Sequence, residues 1–165
     1  NDLIVISHPL KWIGLNYYTR SIINYDETED GINYKTLRVS LKKTDMDWEY
    51  FPQGLSYFIK RINEEYNDKI PIYITENGMA NNDKLKSIRE VDYDCWTSFF
   101  NLHLKEILKC LNEGLTIKGY FALSLLDNYE WAFGYTKRFG LVYVDFDNFN
   151  RIPKKSYYEF SKYLI

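Results

Sequence analysis

A chain of 165 residues with 45% hydrophobic content is long enough to bury a core and too apolar to stay disordered. Its net charge of −2, with acids and bases interspersed and no basic stripe, argues against a nucleic-acid partner. The 18% aromatic content is high and much of it is Tyr, whose apolar body and polar tip suit core edges and carbohydrate-facing surfaces.

The opening residues Asn1-Asp2-Leu3-Ile4-Val5-Ile6 carry neither a basic leader nor a long apolar region, so no secretory signal is expected. They also lack an initiating Met, and the chain reads as one that begins inside a longer polypeptide. No apolar run approaches the ~20 residues of a membrane helix, so no membrane partner is expected. Trp12-Ile13-Gly14-Leu15-Asn16-Tyr17-Tyr18 is the first predicted strand, bounded upstream by Pro9. Residues 24–47 are polar and read as a long loop with room for a hairpin. Pro52-Gln53-Gly54 then opens a helix in which Leu55, Phe58, Ile59, Ile62 and Tyr66 recur at helical spacing. Asn67-Asp68-Lys69 ends it, and Pro71 leads into the next strand.

That strand, Ile72-Tyr73-Ile74-Thr75-Glu76-Asn77-Gly78, is a short β-branched run that stops on a carboxylate. Apolar runs of this kind read as buried parallel strands. Burying an unpaired charge costs on the order of several kcal/mol unless the group is paired or used. At the C-terminal end of a barrel strand, Glu76 would point into the mouth where such folds keep their chemistry. The alternative is a hairpin turning at Asn77-Gly78, which leaves Glu76 facing water. The stretch alone does not choose between them.

Residues 81–90 form another polar connection, expected to be flexible. The strongest predicted helix follows, with Trp96, Phe99, Phe100, Leu104, Ile107, Leu108 and Leu111 as one stripe and Gly114 as its stop. His103 beside that stripe reads as structural rather than catalytic. Cys95 and Cys110 fall in the same helix, roughly 22 Å apart at ~1.5 Å rise per residue, far beyond disulfide reach. Their spacing fits no metal motif, so both read as buried free thiols in a reducing, cytoplasmic setting. The third strand is predicted over residues 117–125. A short hairpin follows over residues 140–146 and from Arg151 onward, before a terminal helix with Tyr157, Phe160, Ser161 and Leu164 on one face.

Strands alternating with helices imply an α/β fold with a parallel sheet and helical crossovers. Three strands cannot close a barrel, which needs eight and about 250 residues. The long loops all follow strand C-terminal ends, as expected of a site-bearing piece of a larger barrel. No linker or repeat divides the chain, so residues 1–165 read as part of a single domain.

Five motifs occur in order: Ile13-Gly14-Leu15-Asn16-Tyr17-Tyr18-Thr19, Trp48-Glu49-Tyr50-Phe51-Pro52-Gln53-Gly54-Leu55, Tyr73-Ile74-Thr75-Glu76-Asn77-Gly78, Ser124-Leu125-Leu126-Asp127-Asn128-Tyr129-Glu130-Trp131, and Lys137-Arg138-Phe139-Gly140-Leu141-Val142-Tyr143-Val144-Asp145. The set resembles glycoside hydrolase family 1, the β-glucosidase and β-galactosidase family built on a (β/α)8 TIM barrel. It covers only that family's C-terminal part, about strands six to eight with their helices.

The resemblance implies a retaining mechanism with two carboxyl groups and no metal or organic cofactor. Glu76 matches the family's nucleophile and Tyr18 the tyrosine that orients it. Glu130 and Trp131 match the pair that hydrogen-bonds sugar hydroxyls, Phe139 an aromatic of that subsite, and Asn16 a polar residue near it. The family's acid/base Glu lies in an Asn-Glu-Pro motif after strand four, and no such tripeptide occurs here. The implied partners are a β-glycoside substrate and the missing N-terminal part of the barrel, in cis or in trans. Phospho-glycosidase relatives carry a Ser, Lys and Tyr set for a sugar 6-phosphate; Glu130 and Phe139 depart from it, which favours an unphosphorylated sugar such as a β-glucoside. Leu123 stands where the family usually has a Trp that floors the sugar subsite, and Trp96 where Arg is common. Leu123 keeps open a non-catalytic sugar-binding remnant or an inactive truncated product as alternatives.

Overall fold

The computed structural model describes residues 2–27, 31–37, 41–66, 70–87, 90–92 and 95–164. A short helix α1 (Asp2–Ile6), not anticipated from the sequence, precedes strand β1 (Ile13–Asn16). The expected loop after β1 does contain a hairpin, β2 (Ile23–Tyr25) and β3 (Tyr34–Thr36), before helix α2 (Gln53–Glu65). Strand β4 (Ile72–Asn77) follows. The connection expected to be flexible carries a second hairpin, β5 (Lys84–Ser87) and β6 (Glu90–Asp92). Helix α3 (Cys95–Asn112), strand β7 (Ile117–Ala122), the hairpin β8 (Val142–Val144) and β9 (Arg151–Pro153), and helix α4 (Lys155–Ser161) complete the chain. The residues expected to end α2, Asn67 to Lys69, and the Cys95 side chain lie outside the described part.

The central sheet has three parallel strands in the order β1-β4-β7, so β4 is paired on both sides and each outer strand has an unpaired edge among the described residues. Helices α2 and α3 make the two crossovers and cover one face. There Leu55 and Ile59 of α2 and Ile107 and Cys110 of α3 pack on Ile72 and Ile74 of β4. Ile72 and Ile74 are wholly buried, and removing a branched side chain of this kind from water contributes about 1.5–3 kcal/mol. A second cluster, Met79, Trp96, Phe99, Phe100 and Leu141, joins α3 to the loops beyond the strands and to Phe160 of α4.

The opposite face of the sheet is left open by the described residues. Trp12 and Tyr73 meet edge to face at 5.6 Å, yet Trp12 is 53% exposed and Phe121 of β7 is 57% exposed. An eight-stranded barrel would enclose this face as its interior. The helical stripes are also wider than the structure covers: Phe58 and Tyr66 near α2, and Leu108 and Leu111 of α3, are exposed. Helix α3 closes at Gly114 in the left-handed region, φ +87°. The outer strands are shorter than expected, β1 ending at Asn16 and β7 at Ala122, although the N–H groups of Tyr17 and Leu123 still donate to the Glu76 and Asn77 carbonyl oxygens at 2.9 and 3.0 Å.

His103 is structural in its contacts. It is fully buried, its Nδ1 lies 2.8 Å from the Phe99 carbonyl oxygen, and its ring stands 4.0 Å from that of Phe99. Burial pushes its pKa down from 6.5 to about 4, against smaller opposing effects of the Phe99 carbonyl and Glu106. Above pH 6.5 both folded and unfolded chains hold a neutral imidazole, whereas between 6.5 and about 4 only the unfolded chain takes up the proton. Acidification through that window should therefore remove on the order of 3 kcal/mol of stability. Urea unfolding at a series of pH values checks this: His103→Leu should flatten the loss, and an equally steep loss in the variant would assign it to other groups.

Candidate functional site

The C-terminal ends of β1, β4 and β7 converge on Glu76. It lies in a parallel strand, which excludes the hairpin alternative; Asn77 and Gly78 are buried and do not form a tight turn. Both ladders shift register here: Asn16 of β1 pairs with Glu76, and the shift between β4 and β7 falls between Ile74 and Asn77. Such an irregularity turns a strand and re-aims a side chain. Asn77 straps the irregular end in place, donating from Nδ2 to the Tyr17 carbonyl oxygen at 2.7 Å and accepting from the Tyr120 hydroxyl at 2.7 Å. One buried amide thus ties β4 to both neighbours. Gly78 continues the chain where a Cβ would lie 2.0 Å from the Leu123 carbonyl oxygen, so only glycine fits this close approach.

Around Glu76 the structure gathers most of the residues singled out from the sequence. The Tyr18 hydroxyl donates to Glu76 Oε2 at 2.6 Å, a short charge-assisted bond. Burial, the bond to Glu76 and the charges of Glu76 and Glu130 all raise the Tyr18 phenol pKa far above its ordinary value, so it stays protonated as a donor. Asn16 accepts at Oδ1 from the Thr75 hydroxyl at 2.7 Å. Phe139 is buried and meets Tyr18 edge to face at 6.4 Å. The Glu130 carboxyl is pushed above its ordinary pKa, chiefly by burial and further by the charge of Glu76. Trp131, in a single 3-10 turn over Trp131–Phe133, is 84% exposed and makes no side-chain hydrogen bond or ring contact with Glu76 or Tyr18.

Two features were not legible as site elements. Trp48, from the loop before α2, completes an aromatic wall with Tyr18 at 5.3 Å and Phe139 at 6.1 Å. Its segment is held by Glu49, which takes a two-pronged ion pair from Arg20 at 2.8 and 2.9 Å. Trp48 lies within one of the quoted motifs, but nothing in its spacing shows that it turns toward Tyr18.

The other feature is a buried charge cluster. Asp127 accepts from the backbone N–H of Gly140 at 2.8 Å and of Val144 at 3.2 Å, from Arg138 Nη1 at 2.7 Å and from Lys154 Nζ at 3.0 Å. Four donors satisfy a carboxylate's lone pairs. They close the base of the loop that carries Glu130, Trp131 and Phe139. Lys154 also donates to Asp83, whose pKa burial raises against the lowering effect of Lys154. Nearby, Lys137 Nζ lies 3.0 Å from Asp45 Oδ2 and donates to the Asp45 carbonyl, joining the loops after β1 and β7.

Chemically, the site offers a carboxylate held by a phenol, a second carboxyl within reach of its charge, and an aromatic wall. Among the described residues no group of three or more His, Cys, Asp or Glu is placed to hold a metal ion, and no helix is long and apolar enough to cross a membrane.

The profile of glycosyl hydrolase family 1 matches residues 1–164. Beta-glucosidase A of Thermotoga maritima is 38% identical over 161 residues, which are 98% of this chain and 36% of that protein. A 6-phospho-beta-galactosidase of Clostridium acetobutylicum is 37% identical over 174 residues, 94% of this chain and again 36% of the relative. The solved family 1 β-glucosidase of Thermotoga maritima superposes with a TM-score of 0.92 over 98% of this chain and 36% of its own. The same enzyme in complex with deoxynojirimycin gives 0.91. The chain therefore spans about a third of the length of these relatives and takes the fold of part of their TIM barrel.

The coupling of the two carboxyls is directly measurable. Glu76→Gln removes one cause of the raised Glu130 pKa and leaves burial in place, so an NMR titration of the labelled Glu130 carboxyl should shift downward and stop short of an ordinary glutamate. An unmoved midpoint would show that the two groups do not sense each other.

Proposed function

The chain belongs to glycosyl hydrolase family 1, and on that premise we propose that it is the C-terminal part of a retaining β-glycosidase acting on β-glucosides or related unphosphorylated β-glycosides. The observation that carries this reading is the 2.6 Å bond from Tyr18 to Glu76 at the end of a parallel strand. In this reading Glu76 attacks the anomeric carbon as the bond to the leaving oxygen breaks, forming a covalent glycosyl-enzyme that water then hydrolyses. Tyr18 keeps the attacking oxygen aimed. Glu130 and Trp131 hold sugar hydroxyls, with Phe139 lining the subsite and Asn16 near it. The leaving oxygen needs a proton, and the acid supplying it comes from the N-terminal part of the barrel, in cis or in trans, about 5–5.5 Å across the glycosidic bond from Glu76. Two unpaired edges and an uncovered sheet face support a larger barrel as the working unit. The buried, unpaired Cys110 supports a reducing, cytoplasmic setting.

The resemblance to a 6-phospho-beta-galactosidase raises a second reading, a sugar 6-phosphate as substrate. Glu130 opposes it by its charge. Lys137, whose ammonium donates to Asp45, does not by itself separate the two readings. Half-buried Leu123 narrows what stacking the subsite floor supplies.

The test joins this whole chain to the N-terminal remainder of the Thermotoga maritima enzyme and adds a 2-fluoro-β-glucoside with a good leaving group, followed by peptide mass mapping. The expected result is one label, on Glu76, with hydrolysis of the β-glucoside well above that of its 6-phosphate. Glu76→Gln should lower kcat by at least about a thousandfold, as losing a nucleophile does. Hydrolysis that survives this substitution, or a label elsewhere, would overturn the assignment.

A further inference from the structure

Lys154 is fully buried, and its ammonium lies between two carboxylates whose side chains are also fully buried. One of them, Asp83, belongs to the segment that leaves β4 just after Glu76. The other, Asp127, closes the base of the loop that carries Glu130. Both segments are fastened to the same place by backbone bonds as well: Asn81 N–H donates to the Arg138 carbonyl oxygen at 3.3 Å, and Lys154 N–H to that of Leu141 at 3.0 Å. Asn81 further holds Asp83 through a 2.9 Å bond from Nδ2. With Arg138 on Asp127, the cluster contains two carboxylates and two cations and is neutral as a whole.

A buried ion pair is a poor way to gain stability, since apolar groups of equal volume often serve as well or better. What a lysine between two carboxylates does supply is a fixed distance and direction between the two segments that bear them. On this ground, and resting on the reading of Glu76 and Glu130 given above, we propose that Lys154 is a positioning residue for the sugar site. It acts as a buried strut that sets the spacing between the strand of Glu76 and the loop of Glu130 and Trp131. Its contact with substrate is none; it works through Asp83 and Asp127.

The joined barrel described above is the background for the test. Lys154→Met alone leaves Asp83 buried without its cation, so it is made beside the double variant Lys154→Met/Asp83→Asn, which removes one charge of each sign and keeps the Asp127–Arg138 pair. Rates are expressed per active site titrated with the 2-fluoroglycoside. The double variant should retain titratable sites while KM for a β-glucoside rises roughly 10- to 100-fold, the scale set by a displacement of about 1 Å in a binding group. Adding Glu130→Gln to it should cost much less than the same change costs in the parent, because the loop is already displaced. A purely structural Lys154 would lower the number of titratable sites and leave KM per site unchanged; that result, or full additivity with Glu130→Gln, overturns the proposal. If the unsubstituted joined barrel hydrolyses no glycoside, the functional reading itself fails and the proposal is withdrawn with it.

Discussion

Asp127 holds the site together. Each oxygen of this one buried carboxylate takes a backbone N–H and a cationic side chain, so a chain segment that leaves β7 at Leu123 and returns at Gly140 is pinched shut at its base. Gly140 makes the pinch sterically feasible, because a Cβ there would lie 2.1 Å from the Asp127 nitrogen. The aromatic wall and the Glu130 loop follow from that closure: Phe139 sits against Tyr18 because the chain on either side of it is fixed. The hairpin β8–β9 is anchored by the same carboxylate through Val144, and α4 through Lys154.

The sheet beneath divides its labour differently. Its helix-covered face holds the apolar contacts that stabilise the chain, whereas the ends of its strands are shaped by polar groups, the Asn77 amide foremost. The register shifts on both sides of β4 place Glu76 out of the regular alternation, and Asn77 prevents the strand from sliding back. Regular pairing would aim the carboxylate according to the pleat alone. Burial thus supplies cohesion and hydrogen bonds supply direction.

Local signals in the chain were good guides where the physics is local. Strand β4 follows its β-branched run and carries Glu76 next to its last residue, Asn77, α2 begins just after Pro52, and Leu55 and Ile59 turn inward. The helical period puts Leu108 and Leu111 on the apolar stripe of α3, yet both are exposed, since a period shows only that a face is apolar and not that a neighbour covers it. The hairpin β5–β6 was missed because its alternation is short and its residues mostly polar. Lys154 was invisible for a different reason. Its partners lie 71 and 27 residues away in sequence, and a lone lysine before a helix ordinarily lies in solvent. The motif order pointed to the family and to Glu130, but it did not show that Asp127, three residues earlier, is buried among four donors.

The pairing of β4 on both sides separates the contacts that shape the carboxylate from those a closed barrel would add. The Tyr18–Glu76 bond, the Asn77 strap and the loop of Glu130 all lie within the chain, so none of them depends on matching a foreign sequence. The seams left to be matched are two outer strand edges and a face of Trp12, Tyr73 and Phe121, where backbone pairing and ring packing tolerate substitution better than a charged cluster does. The geometry of the carboxylate is thus set by contacts made inside the chain, while the outer edges and the open face are where further barrel strands would have to fit.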